Sequence, residues 1–349
     1  FLSGTSVGAA EGADIRIFVE RSLAVAGVPA SSAGGGIGES IIINALTEAG
    51  TTGNAGLLSI TGVNADVSID NGSLGSTSYG SGAAGDIEIN ARSLTLKNRS
   101  GIGSGSNSNL SSGGDIRLNV GALNMLGGGG DYPVFINAAT SNANRGGDIV
   151  IQADNILMTS ANPVSNSQRD VDNSIGGGTT GNGDAGNVQI RVTNKLEMFN
   201  SNIFSATFGP ATATGNAGNV SLHVGTFDLD DSKITASTNT LGRGGDVAIE
   251  FNRDSRLGNN SQIQTISSGS GLTPTTFAST GDGGDISIIG RNARLTLDGR
   301  GTQNTAIESS SFSSDGQTHA GDLDIRVGAL TMVSGHVSGE RDAGGALYQ

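Results

Sequence analysis

A short phrase recurs along this chain and constrains its fold more than any other feature. The phrase begins with glycine, continues with aspartate or asparagine, and then alternates aliphatic with polar residues. Clear copies start at Gly85, Gly114, Gly147, Gly186, Gly218, Gly245, Gly284 and Gly321, and weaker copies start at Ala13, Glu39 and Gly56. Residues two apart share one face of a β-strand, whereas a helix repeats its apolar residues every three or four positions. The phrase therefore predicts a strand, repeated at intervals of 27 to 39 residues.

Two further apolar positions follow the phrase in most repeats. One is a pair of residues spaced two apart: Leu94 and Leu96, Leu123 and Met125, Ile156 and Met158, Leu196 and Met198, Phe227 and Leu229, Leu295 and Leu297, Leu330 and Met332. The other is a single residue: Ile102, Val134, Ile175, Ile203, Ile234, Ile263, Ile307 or Val337. Three short strands per repeat predict a three-sided coil, and stacked coils would share one core.

This pattern predicts an all-β fold class, a right-handed parallel β-helix with about three strands per coil and roughly 10–11 coils. Because neighbouring strands are spaced about 4.8 Å apart, the rod would be roughly 50 Å long. We assign residues 1–56 to irregular first coils and residues 57–349 to regular repeats, continuous with the first coils as a single solenoid domain.

The Gly-Asp step should form a corner between coils. We expect glycine to supply a positive φ there, and the aspartate or asparagine to bond local backbone. A ladder of stacked carboxylates at Asp86, Asp115 and Asp148 would repel itself. We therefore expect these carboxylates to point outward or to accept hydrogen bonds from backbone amides; only Asn187 and Asn219 carry the amide instead.

Composition argues against several classes of function. The net charge is −13 and the pI is near 4.5, which disfavours binding to nucleic acid or to anionic membranes. Cysteine is absent, so stability must come from something repetitive rather than from disulfides. No apolar stretch approaches the 18 residues of a membrane span, and residues 1–10 lack the features of a signal peptide. We interpret the chain as a mature protein or a piece of a longer one.

The repeats resemble those of filamentous-haemagglutinin-type exoproteins. The resemblance rests on phrases such as GDIEINARSLTLKNRSGIGS and GNVQIRVTNKLEMFNSNIFSAT and covers about residues 53 to 337. In particular, the phrases resemble the GNAGDI-type repeats of large cyanobacterial members. It implies a right-handed β-helix, two-partner secretion through an outer-membrane transporter, and a role in adhesion or aggregation at the surface of a Gram-negative bacterium. The secretion domain of such proteins carries Asn-Pro motifs, whereas the one Asn-Pro here is Asn162–Pro163 in a loop. The chain therefore resembles the shaft.

Residues that often carry chemistry are scattered in this sequence. His223, His319 and His336 form no close ligand pair, so we predict no metal site and no cofactor. The G-x-S-x-G match at residues 4–8 lacks the strand-to-helix context of a nucleophile elbow. The G-x-G-x-x-G match at residues 181–186 precedes a strand instead of following one, unlike a dinucleotide fingerprint.

Carboxylates are the residues that keep an enzymatic alternative open. Asp228 and Asp230 share a strand face beside Asp231, and Asp322 and Asp324 form a similar pair, with basic residues near both pairs: His223, Lys233, His319 and Arg326. Glycosidases use two carboxylates about 5–10 Å apart. Loop carboxylates offer oxygen ligands for calcium: Asp282 and Asp285, or Asp170 and Asp172.

Two functions follow from this reading. The first is a structural or adhesive extracellular fibre, an adhesin shaft on the cell surface that self-associates end to end and binds a surface glycan or cell receptor. It predicts no enzymatic activity and no catalytic residues. The alternative is a carbohydrate-active β-helix enzyme, a polysaccharide lyase or hydrolase, which would need a groove with clustered Asp, Arg and aromatic residues. The few aromatic residues, such as Tyr79, Tyr132 and Phe135, are scattered over different coils. The insertions near residues 159–174 and 266–283 are where we expect ligand contacts.

Overall fold

The computed structural model consists of β-strands and loops in the parts of the chain that it describes. These are residues 2–27, 41–106, 111–127, 133–141, 144–161, 173–210, 212–268, 281–300, 305–312 and 318–342. The strands are β1 (Leu2–Ser6), β2 (Ile15–Phe18), β3 (Ser22–Ala26), β4 (Ile41–Thr47), β5 (Leu58–Asp70), β6 (Gly72–Ser78), β7 (Ile87–Lys97), β8 (Gly101–Ser106), β9 (Ile116–Gly127), β10 (Phe135–Thr140), β11 (Ile149–Ser160), β12 (Asn173–Thr179), β13 (Val188–Phe199), β14 (Ser201–Thr207), β15 (Val220–Asp230), β16 (Lys233–Thr238), β17 (Val247–Phe251), β18 (Ser255–Gly258), β19 (Gln262–Ser267), β20 (Ile286–Asp298), β21 (Thr305–Phe312), β22 (Leu323–Val333) and β23 (Gly335–Asp342).

The strands form two parallel sheets that the chain visits in turn. Short strands make an 11-stranded sheet in the order β1-β4-β6-β8-β10-β12-β14-β16-β19-β21-β23, and the remaining, mostly longer strands make a 12-stranded sheet. Each strand pairs with the equivalent strands one coil before and one coil after it. The predicted parallel β-helix is thus confirmed, and the 11 short strands agree with the predicted number of coils.

Each long strand supplies two of the three predicted sides of a coil. In β13, Val188, Ile190 and Val192 point inward, two exposed residues follow, and Leu196 and Met198 then point inward again. The register shifts between Val192 and Lys195, where the strand turns a corner. In two coils the corner separates the strand completely, giving β2 with β3 and β17 with β18. Three sides per coil is therefore correct.

The core consists of columns of apolar side chains that run along the rod. On the third side the column is Ile43, Leu74, Ile102, Ile136, Ile175, Ile203, Ile234, Ile263, Ile307 and Val337. The prediction of Val134 for this column was wrong. Val134 is buried, but Ile136 pairs with Ile102 and Ile175, while Val134 lies before β10. Each fully buried aliphatic side chain contributes about 1.5–3 kcal/mol.

In the coil that contains β17 and β18, one core position holds serine instead of an apolar residue, and aromatic rings pack nearby. Ser255 of β18 stands where its neighbours place Phe227 and Leu295. Phe227 and Phe251 are buried and meet edge to face, with ring centroids 5.3 Å apart. A side chain at Gly290 would meet the Phe251 ring at 2.2 Å, so glycine there leaves the space that the ring occupies.

On the third side of the coils, inward-facing positions that follow the aliphatic residue carry buried hydroxyl side chains. Buried hydroxyls follow along the short strands and bond carbonyls of the loop that leads to the next coil. Ser104 Oγ donates to Gly85 O at 2.8 Å, Ser205 Oγ to Gly186 O at 2.7 Å, and Thr265 Oγ1 to Gly284 O at 2.6 Å. These bonds satisfy loop carbonyls that would otherwise be buried without a partner.

The glycine of the repeated phrase is required by close packing and not by its dihedral angle. Positive φ among the described glycines occurs at Gly8 and Gly50 only, so the predicted positive φ at this corner was wrong. A Cβ on Gly147 would lie 1.9 Å from Gly114 O, and one on Gly186 would lie 1.8 Å from Gly147 O. Successive coils approach too closely here for any side chain. Positive φ occurs instead at the corner before the third side, chiefly at asparagines: Asn71, Asn98, Asn200, Asp231, Asn259, Asn260 and Ser334.

The aspartate or asparagine of the phrase forms a ladder of hydrogen bonds, which we call the Asx ladder. Each side-chain oxygen accepts the backbone N–H of the equivalent residue one coil later. The bonds join Asp115 to Asp86, Asp148 to Asp115, Asn187 to Asp148, Asn219 to Asn187, Asp246 to Asn219, Asp285 to Asp246 and Asp322 to Asp285, at 2.7–3.0 Å. The prediction that these carboxylates bond backbone amides is confirmed, and aspartate and asparagine are interchangeable because only the acceptor oxygen is used.

Candidate functional site

The predicted carboxylate pair Asp228 and Asp230 lies on the outer face of β15 and is held by cations. Arg256 of the next coil lies 3.4 Å from Asp228 Oδ1 and 3.3 Å from Asp230 Oδ2. Asn259 donates to both oxygens of Asp230 at 2.7 and 2.8 Å, and Lys195 lies 3.6 Å from Asp228. The pair therefore forms part of a charge network on the second side of the rod.

The same network lowers the pKa of a carboxylate at its far end. Arg300 donates to both oxygens of Asp298 at 2.7 Å, and Arg256 lies 4.0 Å away. The hydrogen bonds from Arg300 are the main reason that the pKa of Asp298 falls to about 2. Hydrogen bonds from Arg92, and then from Ser93, likewise lower the pKa of Asp66 to about 2. Both carboxylates belong to ion pairs on the surface of the rod.

The loop carboxylates considered as calcium ligands accept backbone hydrogen bonds from the next coil. Asp282 accepts the N–H of His319 at 2.8 Å, and Asp285 accepts that of Asp322 at 2.9 Å. Asp170 and Asp172 lie outside the described residues. Among the residues that the structure describes, no three His, Asp or Glu side chains gather into a metal-binding group.

The histidines and the two short motifs lie on the surface or in loops. His223 is exposed, as predicted, with Nδ1 2.9 Å from Glu250 Oε2 on the next coil. His319 is exposed, with Nδ1 3.5 Å from Asp282. Residues 4–8 comprise the end of β1 and a turn, and residues 181–186 form the loop before β13, as the sequence predicts. The side chain of His336 lies outside the described residues.

The aromatic residues considered for the enzymatic alternative are dispersed. Tyr79 is exposed, and Tyr132 lies outside the described residues. The ring of Phe135 packs over Gly101, so a Cβ on Gly101 would lie 2.2 Å from the ring. The ring of Phe204 packs over Gly176 in the same way, at 2.4 Å. Aromatic cover of a strand glycine is a structural role. The two insertions fall mostly outside the description, at residues 162–172 and 269–280.

A groove that the sequence reading missed follows the corner between the first and second sides of the rod. It has a volume of about 330 Å³, and its walls include Val63, Asn119, Gln152, Asp154, Arg191 and Thr193. Its floor is made of small side chains, such as Ala91 and Ala153. Asn119, Gln152 and Arg191 occupy one outward-facing column, since Gln152 pairs with each of the other two across the sheet. Asp228 and Asp230 line neither this groove nor the one described next.

A second groove continues the same corner toward the later coils. Its volume is about 240 Å³, and its walls include His223, Glu250, Asn252, Ile289, Arg291 and Asn292. Arg253 separates the two grooves. Its guanidinium lies over Gly225, where a Cβ would be 2.3 Å from Nη2, and donates to Asn194 O at 2.5 Å. We call the two grooves and the arginine between them the grooved corner.

The two ends of the described rod expose apolar residues whose equivalents in the remaining coils point inward. Leu330 and Met332 of β22 are 44% and 43% exposed, and Leu2 of β1 is 48% exposed. Within the described residues, β22 pairs only with β20 and β23 only with β21, so the outer edges of both strands have no partner strand. Such edges are templates for pairing with a further strand.

Comparison with known proteins adds no identification. No family model, no curated protein and no solved structure matches the chain. The described parts of the chain contain no helix with the length and hydropathy that crossing a bilayer requires.

Proposed function

We propose that this protein is the shaft of an extracellular adhesive fibre that self-associates end to end. The observation that carries the proposal is the continuity of the columns. The aliphatic columns, the Asx ladder and the glycine contacts run from coil to coil, and inward-facing Leu330 and Met332 remain exposed at the last described coil. A second copy, stacked in register, would cover these side chains and pair the open strand edges. The contact joins two different ends, so it propagates into a filament.

The cellular setting of the proposal rests on the resemblance of the repeats to filamentous-haemagglutinin-type exoproteins. A cysteine-free, acidic rod is compatible with export in an unfolded form and with solubility outside the cell. We propose that the chain reaches the surface of a Gram-negative bacterium through an outer-membrane transporter. Its adhesive partner is a surface glycan or a cell receptor.

Electron microscopy and sedimentation of the purified chain test the self-association. We expect filaments or a concentration-dependent series of oligomers. The double substitution Leu330→Asp and Met332→Asp should shift the protein to monomers, because it places charges in the stacking interface. Phe199→Asp is the matched control: Phe199 is 46% exposed on the outer face of β13, away from both ends, and its substitution should leave assembly unchanged. A wild-type chain that stays monomeric at every concentration would refute the proposal.

A further inference from the structure

The grooved corner combines an elongated shape with polar and positively charged side chains. Val63, Ala91, Asn119, Gln152 and Arg191 belong to five neighbouring strands of the 12-stranded sheet. At about 4.8 Å per strand, the first groove runs for roughly 19 Å along the rod. A ligand that fits it is therefore long, narrow and extended parallel to the rod axis.

The polar groups of the first groove are available to a ligand. Asn119, Gln152 and Arg191 are exposed, and within the described residues their side chains make neither a hydrogen bond nor an ion pair. Amide and guanidinium groups are planar and present several hydrogen-bonding atoms each. They recur once per strand, about 4.8 Å apart, and the rings of an extended polysaccharide chain advance by a similar distance.

The charge of the grooved corner opposes that of the whole molecule. The protein carries a net charge of −13. Among the residues that line or separate the grooves, the guanidinium groups of Arg191, Arg253 and Arg291 have no carboxylate partner in the described structure. Two carboxylates line the grooves, Asp154 and Glu250, and Glu250 lies within hydrogen-bond distance of His223, so the three guanidinium groups outnumber the carboxylates by one. A ligand with carboxylate groups would complement this excess of positive charge.

We propose that the grooved corner binds an extended acidic polysaccharide, whose carboxylates contact Arg191 and Arg291. Arg191 lies on β13 and Arg291 on β20, three strand spacings or about 14 Å apart along the axis. An oligosaccharide of six residues is long enough to reach both arginines. The proposal concerns the outer side of the rod, so it stands whether or not the rod assembles into filaments.

Isothermal titration calorimetry with the whole chain tests the proposal, using a hexamer of galacturonate and, for comparison, the neutral glucose hexamer cellohexaose. We expect the wild-type protein to bind the acidic hexamer and to bind cellohexaose much more weakly. Arg191→Glu and, separately, Arg291→Glu should each weaken binding of the acidic hexamer at least about tenfold, as expected for the loss of a charged hydrogen bond. Circular dichroism should show that both variants keep the wild-type strand content, because both side chains are exposed.

Lys233→Glu is the matched control. It makes the same change in net charge, but Lys233 begins β16 in the other sheet, and the affinity should stay within about twofold of wild type. If Lys233→Glu weakened binding of the acidic hexamer equally, the loss would come from the change in net charge alone, and the proposal would be overturned. So would equal binding of the neutral hexamer, or no binding of either hexamer. Progressive shortening of the acidic hexamer would overturn a purely binding role in favour of the enzymatic alternative.

Discussion

At the scale of single residues, backbone contact between coils determines which positions tolerate change. The glycines of the repeated phrase lie against the carbonyl of the equivalent glycine one coil earlier, as Gly147 does against Gly114. Backbone atoms cannot move aside without disturbing the register of the whole coil, so this position excludes every side chain. Not every strand glycine is packed so closely. Gly103, for example, has its nearest atoms at 3.8 Å from an added Cβ.

We expect Gly147→Ala to destabilise the protein by about 3 kcal/mol, the upper part of the range for overpacking a tight site. The added Cβ would lie 1.9 Å from Gly114 O. Urea denaturation followed by circular dichroism measures the change. Gly103→Ala adds the same methyl group where ordinary van der Waals contact is available, and its midpoint should stay at or above that of wild type. Equal effects at both positions would show that close approach is not the reason for the glycine.

The ion pair between Asp298 and Arg300 predicts how the stability of the protein depends on pH. The pKa of this carboxyl falls to about 2, against an ordinary value near 4, because Arg300 donates two hydrogen bonds to the charged form. The stabilisation is present above about pH 4 and is lost as the pH falls through about 2. Carboxyl ¹³C chemical shifts give the pKa directly. Arg300→Gln should return it toward its ordinary value, and an unchanged pKa in that variant would assign the shift to another cause.

At the scale of strands and walls, the repeated phrase predicted most of the fold, because its alternation describes one face of a strand. The first two sides of each coil follow the expected columns. On the third side Val134 was predicted where Ile136 lies, since both are apolar and a loop of variable length precedes them. The hydroxyls inside the third wall were not predicted, because serine and threonine at Ser104 or Thr265 read as surface residues.

The candidate site was less predictable than the strands. Sequence spacing placed Asp228 and Asp230 on one face correctly, but the ion pairs with Arg256 depend on register across coils. The grooved corner depends on the angle at which each long strand bends, which no local pattern encodes. Its signal in the sequence is indirect: two consecutive exposed residues, such as Thr193 and Asn194, interrupt the alternation of buried and exposed residues along the strand.

At the scale of the whole molecule, the protein is a stack of equivalent coils in which the strands of each coil pair with those of its neighbours. Stability in such a stack is close to a sum of coil and interface contributions, so a whole coil is a unit that can be removed. Asn187 and Asn219 occupy the same place in successive coils, 32 residues apart. Removing residues 187–218 therefore joins Gly186 to Asn219 with every column continued.

We expect this deletion to leave a folded rod that is about 4.8 Å shorter. Its m-value in urea should fall by about a tenth, because one of roughly ten coils is gone. Circular dichroism should retain the strand spectrum. Deletion of residues 187–202 is the control, because it removes about half a coil, places outer residues in the core and should abolish cooperative unfolding. A half-coil deletion that unfolds as cooperatively as the whole-coil deletion would contradict the assignment of coil boundaries.

The direction of the hydrogen bonds has a mechanical consequence. The bonds of both sheets and of the Asx ladder point along the rod axis, and the two ends of the described chain lie in the first and last coils. Tension applied at those ends would load one coil at a time and peel it away. Each coil of 27 to 39 residues would release roughly 90–140 Å of chain. A pulled rod would lengthen in steps at nearly constant force, and single-molecule traces with one rupture for the whole molecule would contradict this. A surface fibre built in this way would lengthen under load and so limit the force that it transmits.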